Sequence, residues 1–212
     1  MRIAGIYLAA GLGSRMGGSK VSRKLSPGVA FGSVALVELE ACGLEPLVVV
    51  VRAGDMLEWL PPASGTPGAR RTATCLTAHL GLSFSLRCGL NAVIPYDPDA
   101  VVVALADQPF VTAELVDRMS EAFRRSPELD YVACSDGEEA MPPALFSKAL
   151  FPALQQLDGD RGAAGILRSS AYKGLTLRPE SSLFAMDADT EAEFREVQNM
   201  WLRQQPSSEQ IG

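Results

Sequence analysis

Histidine is almost missing from this chain: His79 is the only one in 212 residues. Cysteine is scarce, and Cys42, Cys75, Cys88 and Cys134 lie too far apart to form a CxxC pair. Together these absences exclude a clustered zinc site, which needs ligands at close spacing. They predict four reduced, mostly buried thiols in a cytoplasmic protein. Positive charge is also short, with 19 Lys and Arg against 25 Asp and Glu and a formal net charge of -6. Sequence-independent nucleic-acid binding rests on basic patches that neutralise phosphates. Nucleic acid is therefore not expected as a partner, and any phosphate is held locally by a few cations and backbone amides. No apolar run reaches the length of a membrane span. The short apolar start, MRIAGIYLAAG, runs straight into glycine rather than into a cleavage site, so neither a membrane nor a signal peptide is expected.

What is present reads as alternating strands and helices. The hydrophobic fraction of 47% is ample for a packed core. RIAGIYLA, PLVVVVR and AVVVALAD are short continuous apolar runs, the mark of strands covered on both faces. VALVELEACG has helical spacing and stops at Gly43, a C-terminal cap. GLSFSLRCGLNAV reads as a loop entering a helix with Ser83 or Ser85 near its start, and TAELVDRMSEAFRR as an amphipathic helix capped by Thr112. Residues 61–72 are rich in turn formers and read as an exposed loop. After residue 130 the pattern loosens. YVACS, GLTLR and LFAMD read as strands, SKALFPALQQL as a helix broken near Pro152, and DRGAAGILRSS as the start of a short helix. TEAEFREVQNMWLR is a terminal helix capped by Thr190, followed by a frayed tail over 204–212. The expected architecture is a single domain over residues 1–203, of α/β class. It is three-layered and Rossmann-like with a mostly parallel sheet, the later strands extending that sheet.

The segment after the first strand, LAAGLGSRMGGSK, carries the chemistry. It does not match the GxxxxGK[ST] pattern of a P-loop. Gly11 and Gly13 begin a dinucleotide GxGxxG, but Met16 occupies its third place, and no acidic residue follows suitably at roughly 20 residues. The remaining option uses both cations of the loop. Backbone amides freed by glycine close on the oxygens of a triphosphate, while Arg15 and Lys20, both exposed to the cleft, neutralise charge as pyrophosphate leaves. Asp107 stands where AVVVALAD runs out. A carboxylate at a strand's carboxyl end can hold Mg2+ against substrate phosphates. Of Asp187 and Asp189, which stand on an extended segment, only one is expected to face the nucleotide. Asp160 and Arg161 precede a helix start, an arrangement that suits an acceptor's phosphate.

LAAGLGSRMGGSK resembles the LAAGxGxRMGxxK signature of the MobA-like nucleotidyltransferases. GLSFSLRCGL resembles that family's GxSxSLxxGL segment, ALADQPFVT its metal-binding strand end, and LFAMDADTEAEF its C-terminal DIDTPEDY-like segment. PPALFSKALFPALQQLDGDRGAAGIL is similar to one branch, which contains the molybdenum-cofactor cytidylyltransferases and the xanthine dehydrogenase accessory proteins of purine catabolism. The resemblance implies a fold like that of the nucleotide-diphospho-sugar transferases. It implies nucleotide contacts by Leu8, Ala9, Ala10, Gly11, Gly13, Gly81, Ser83, Ser85 and Asp107, with the base read by the serine segment. Mg2+ would be held by Asp107 and by Asp189 or Asp187, with Arg15, Lys20 and Asp107 as the catalytic set. Guanylyl-transferring relatives read LAGG where this chain reads LAAG, so Ala10 and the ADQP motif imply CTP over GTP. The implied acceptor is molybdopterin carrying molybdenum, with transient contact to a molybdenum hydroxylase. Two departures stand out. Ala164 occupies a place often held by arginine in that branch, and KVSRKLSPGVAFG replaces KLLLPxxG, which leaves Lys24 as a second candidate for the role of Lys20. A transferase acting on a sugar phosphate, and a non-catalytic escort for a molybdoenzyme cofactor, are the alternative functions.

Overall fold

Side chains alternate across the apolar runs, and both sets are buried. Ile3, Tyr7, Val49, Val102 and Ala104 enter one core, while Ile6, Leu8, Val50, Val103 and the partly buried Leu105 pack into the other. The computed structural model describes residues 1–11, 19–64 and 69–205. Its elements run β1 (Ile3–Leu8), β2 (Lys24–Ser26), β3 (Val29–Ala30), α1 (Val34–Ala41), β4 (Leu47–Arg52), β5 (Arg70–Cys75), α2 (Leu82–Val93), β6 (Ala100–Leu105) and α3 (Ala113–Arg125). There follow β7 (Tyr131–Ser135), β8 (Ala140–Ser147), α4 (Phe151–Gln155), α5 (Ala164–Leu167), β9 (Gly174–Leu177) and α6 (Glu191–Gln204).

The central sheet has the order β5-β4-β1-β6-β8-β7-β9. β5, β4, β1 and β6 are parallel to one another, β8 is antiparallel to both β6 and β7, and β9 is parallel to β7. This is a Rossmann-like three-layer α/β fold. Helices α1 and α3 cover one face through Leu36, Leu39, Met119 and Phe123. Helices α2, α4 and α5 cover the other through Leu86, Leu90, Leu154 and Ile166. Gly89 lets α2 lie directly on the sheet, since a Cβ there would stand 2.5 Å from Ile6 Cγ2. A third, smaller core joins Leu25, Phe31 and Phe110 to Ala188, Phe194 and Val197 of the C-terminal segment.

Several local expectations are corrected. Residues 70–72 are not loop: they begin the edge strand β5, half of whose side chains are exposed, which removes the apolar signal. Strand β8 absorbs Ser147, and its Pro142-Pro143 pair hides the strand in the sequence. Pro152 does not break a helix but opens α4, where its missing N–H costs nothing. LFAMD is not a strand: Ser182–Ala185 form a short 3-10 turn and the chain then continues extended into α6. The N-cap of α2 is Gly81 rather than a serine. The four cysteines are free, with Cys75 and Cys134 buried, and burial pushes the Cys134 thiol up to about 12. No helix among the described residues is long and apolar enough to cross a membrane.

Candidate functional site

The chain leaves β1 towards β4 on one side and returns through α2 to β6 on the other. The carboxyl ends of β1 and β6 therefore flank a topological switch point, where open α/β sheets bind ligands. A cleft of ≈ 320 Å³ opens there. Leu8, Ala10 and Gly11 from the end of β1 line it, together with Gly81 and Ser85 from the start of α2, Leu105 and Asp107 from the end of β6, and Asp160 opposite.

Asp107 is also one of three carboxylates that converge at the inner end of this region. Asp107, Asp187 and Asp189 each bring a carboxylate oxygen within 4.8 Å of the others. Asp187 and Asp189 stand two apart on an extended segment, so their side chains share one face with Ala188 buried between them, and the expectation that only one would reach the site is corrected. The lysine of the glycine loop closes the cluster. Lys20 Nζ donates to Asp107 Oδ2 at 3.1 Å and to Asp189 Oδ1 at 2.9 Å. Lys20 was expected to be exposed but is only 8% accessible. Burial works against its charge, but Asp107, then the bond to Asp189, outweigh it and hold its pKa above the ordinary lysine value. Partial desolvation, then the charges of Asp107 and Asp189, raise the pKa of Asp187. Asp107 Oδ1 is buried with no hydrogen-bond partner among the described residues. Three hard oxygen donors, with a buried carboxylate oxygen unpartnered among the described residues, fit a small divalent cation such as Mg2+ or Mn2+.

A second chamber of ≈ 200 Å³ adjoins the cleft and shares Leu8, Leu82 and Leu105 with it. Strand β8 runs opposite to β6, so its first residues lie beside the end of β6, and Met141, Pro142 and Ala144 form one wall. Leu86, Val103, Phe146 and Leu167 complete an apolar floor. Arg161, Arg168 and Glu139 are the polar members, and Arg168 pairs with Glu139.

The structure brings together Leu8, Ala10, Gly11, Gly81, Ser85, Asp107 and Asp160. It separates others. Ala9 points into the opposite core, as strand alternation requires. Ser83 is fully buried and its Oγ has no partner among the described residues, so it lies beneath the cleft. Lys24 is exposed on β2, away from the carboxylates joined by Lys20. Arg161 lines the apolar chamber, not the cleft, and α5 behind it has only four residues, too short to act as an anion-binding helix end. Gly13 and Arg15 lie outside the described residues. His79, which as a lone histidine carries no role in the sequence reading, is an exposed side chain that lines the cleft with Gly81. Its place three residues before the GLSFSL segment's Leu82 was the available signal.

Gly81 couples the two halves of the cleft. It holds φ at +124°, and a Cβ there would stand 2.6 Å from Asp160 Oδ1 and from the Gly159 backbone. The Ser83 amide donates to Gly159 O at 3.0 Å. Gly81→Ala is expected to destabilise the protein by about 1–3 kcal/mol, the cost of a strained φ plus displaced backbone. Urea unfolding measures it, and an unchanged midpoint would contradict the close approach.

A switch-point cleft, a glycine-rich sequence following β1 and a lysine-bridged acidic cluster define an α/β protein of the nucleotide-handling class. The chain belongs to the family of the MobA-like NTP transferase domain, whose model matches residues 5–175, and is a nucleotidyltransferase of that family. It is 32% identical over 197 residues to the purine catabolism protein PucB of Bacillus subtilis (strain 168), covering 91% of this chain and 94% of that protein. It is 31% identical over 159 residues to the molybdenum cofactor guanylyltransferase of Rhodobacter capsulatus, covering 74% and 75%. Among solved structures, the homolog of Mycobacterium tuberculosis Rv0371c from Mycobacterium sp. strain JC1 superposes with TM-score 0.78 at 22% identity, covering 97% of this chain and all of that one. Rv0371c of Mycobacterium tuberculosis H37Rv, solved in complex with manganese, superposes with TM-score 0.71 at 21% identity, covering 94% and 99%. At these identities the structures show a shared fold.

Proposed function

We propose that this chain, as a single domain over residues 1–203, transfers CMP from CTP onto the phosphate of molybdenum-loaded molybdopterin and releases pyrophosphate. The product would serve the maturation of a molybdenum hydroxylase such as xanthine dehydrogenase, in the cytoplasm. One observation carries the reading: the cleft that ends on Asp107 continues into the Asp107–Asp187–Asp189 cluster on one side and into the apolar chamber on the other. Nucleotide, cation and acceptor thus each have adjoining space. The purine-catabolism relative supports the link to a hydroxylase of that metabolism, and the manganese-bound neighbour supports a divalent cation.

In this reading the acceptor phosphate oxygen attacks the α-phosphorus in line, and the bond to the bridging oxygen breaks as pyrophosphate leaves. The acceptor phosphate is already ionised near neutral pH, so no general base is needed. Asp107, Asp187 and Asp189 would hold Mg2+, which when bound would supply charge neutralisation for the phosphates. Lys20 and Arg15 spread the charge that develops on pyrophosphate, and Gly11 and Gly13 bring backbone amides to it. Ala10, Gly81 and Ser85 shape the base side. The chamber favours a flat ring system over a sugar, because hydroxyls against Leu86, Val103, Phe146 and Leu167 would be buried without partners. Asp160 lines the cleft, and Arg161, next to it in the chain, lines the chamber and would face the acceptor.

Ala10 at the cleft wall is assigned the narrowing that suits a pyrimidine. CTP should bind more tightly than GTP by about 1–3 kcal/mol, the range for size discrimination with a hydrogen bond or two at stake. Ala10→Gly should erode that gap. Calorimetric titration of both nucleotides into both proteins tests it. Equal affinities, or a GTP preference as in the guanylyltransferase relative's name, would remove the cytidylyl assignment and leave the transferase intact. Pyrophosphate release from CTP that depends on molybdenum-loaded molybdopterin, and not on sugar phosphates, tests the acceptor.

A further inference from the structure

Asp189 lies one residue before Thr190, the N-cap of α6. Thr190 and Glu193 form a capping box: Thr190 Oγ accepts from the Glu193 amide at 3.3 Å, and Glu193 Oε2 accepts from the Thr190 amide at 2.7 Å. A capping box ordinarily stops there. Here the same Oε2 also accepts from the Asp189 amide at 2.8 Å. Glu193 therefore fixes the backbone of the residue whose carboxylate joins Lys20 and Asp107. Helix α6 is itself pinned to the rest of the site. Phe194 lies edge to face with Phe31 at 5.5 Å, and Arg23 stacks over Phe194 at 4.1 Å while pairing with Glu191. Phe110, three residues past Asp107, enters the same small core.

We propose that Glu193 is a positioning residue for the acidic cluster, setting the orientation of Asp189 for a divalent cation through the Asp189 backbone without itself touching that cation. The proposal rests on the cluster being a cation site. Supporting residues of this kind typically change metal affinity by 10–100-fold when removed.

The test is Mn2+ binding to the full chain without nucleotide, read as the loss of the free-ion electron paramagnetic resonance signal. Glu193→Ala should weaken Mn2+ binding by about 10-fold, the lower end expected for an indirect contact. Glu193→Gln keeps an acceptor oxygen and should bind close to wild type. Thr190→Val removes the other half of the capping box while sparing the bond to Asp189. It should lower the thermal midpoint much as Glu193→Ala does and keep Mn2+ affinity. Wild-type Mn2+ binding by Glu193→Ala overturns the proposal, and so does equal weakening by Glu193→Ala and Thr190→Val, which would reduce Glu193 to a helix cap. Wild-type protein that binds Mn2+ no better than Asp107→Asn overturns the cation-site reading, and the proposal with it.

Discussion

Asp107→Asn is expected to lower turnover by at least ~10²-fold, the loss typical of removing one key electrostatic contact to a transition state. Asparagine is nearly the same size, and the Asp107 side chain keeps 32% of its surface, so neither packing nor the core is disturbed. What disappears is charge. The buried Oδ1, with no partner among the described residues, becomes part of a neutral amide, and the cluster keeps only Asp187 and Asp189 as anions. Turnover and turnover over KM should fall together, because the contact is used as charge builds on the phosphates rather than when the nucleotide docks. Steady-state pyrophosphate release, with circular dichroism to check the fold, decides the matter. Normal rates in the variant, or full wild-type activity after removal of divalent cations, would sink the assignment.

Lys20→Met should have two effects that separate by pH. The first is kinetic, a loss of about 10²–10³-fold, since a preorganised cation on the leaving pyrophosphate is removed. The second is on stability. Lys20 is buried at 8% exposure between Asp107 and Asp189, and without it three carboxylates face one another within 4.8 Å. Breaking a fully buried pair costs 3–5 kcal/mol. Asp107 and Asp189 keep 32% and 53% of their side-chain exposure, so about 1–2 kcal/mol is expected here. Partial desolvation, then the charges of Asp107 and Asp189, already hold the Asp187 pKa above its ordinary value, and losing Lys20, which works against them, raises it further. The folded variant then binds a proton at Asp187 more readily than the unfolded chain, so its deficit shrinks as pH falls from neutrality through that raised value. Thermal midpoints of both proteins between pH 7 and pH 5 test the sign: a variant whose deficit stays constant or grows on acidification contradicts the counter-ion role. Lys24→Ala, on exposed β2, should be silent in both assays.

The sheet was legible where burial was two-sided. Runs such as IAGIYL, LVVVVR and AVVVAL have few other stable fates. Legibility failed where context overrode composition. β5 is an edge strand with exposed Arg71, Thr72 and Thr74, and β8 begins AMPP, so neither shows an apolar run. The aspartate pair was misjudged for a different reason. Side chains two apart on an extended segment point to the same side, so Asp187 and Asp189 both reach the cluster while Ala188 between them is buried. Local geometry also explains why Ser85 reached the cleft and Ser83 did not: two residues on a helix differ by more than half a turn.

By itself the sequence determined the α/β class, the order of most elements, the capped helices at Thr112 and Thr190, and a nucleotidyltransferase signature running from LAAG to MDADT. Each of these rests on interactions within one element or turn, and such interactions are written in neighbouring residues. Only the tertiary structure decided that Lys20 is buried rather than exposed, that it joins Asp107 and Asp189 across 87 and 169 residues, and that an apolar chamber adjoins the cleft. Those facts depend on which strand lies beside β6 and on where α6 docks. Both are fixed by contacts between distant segments, and no local periodicity encodes them.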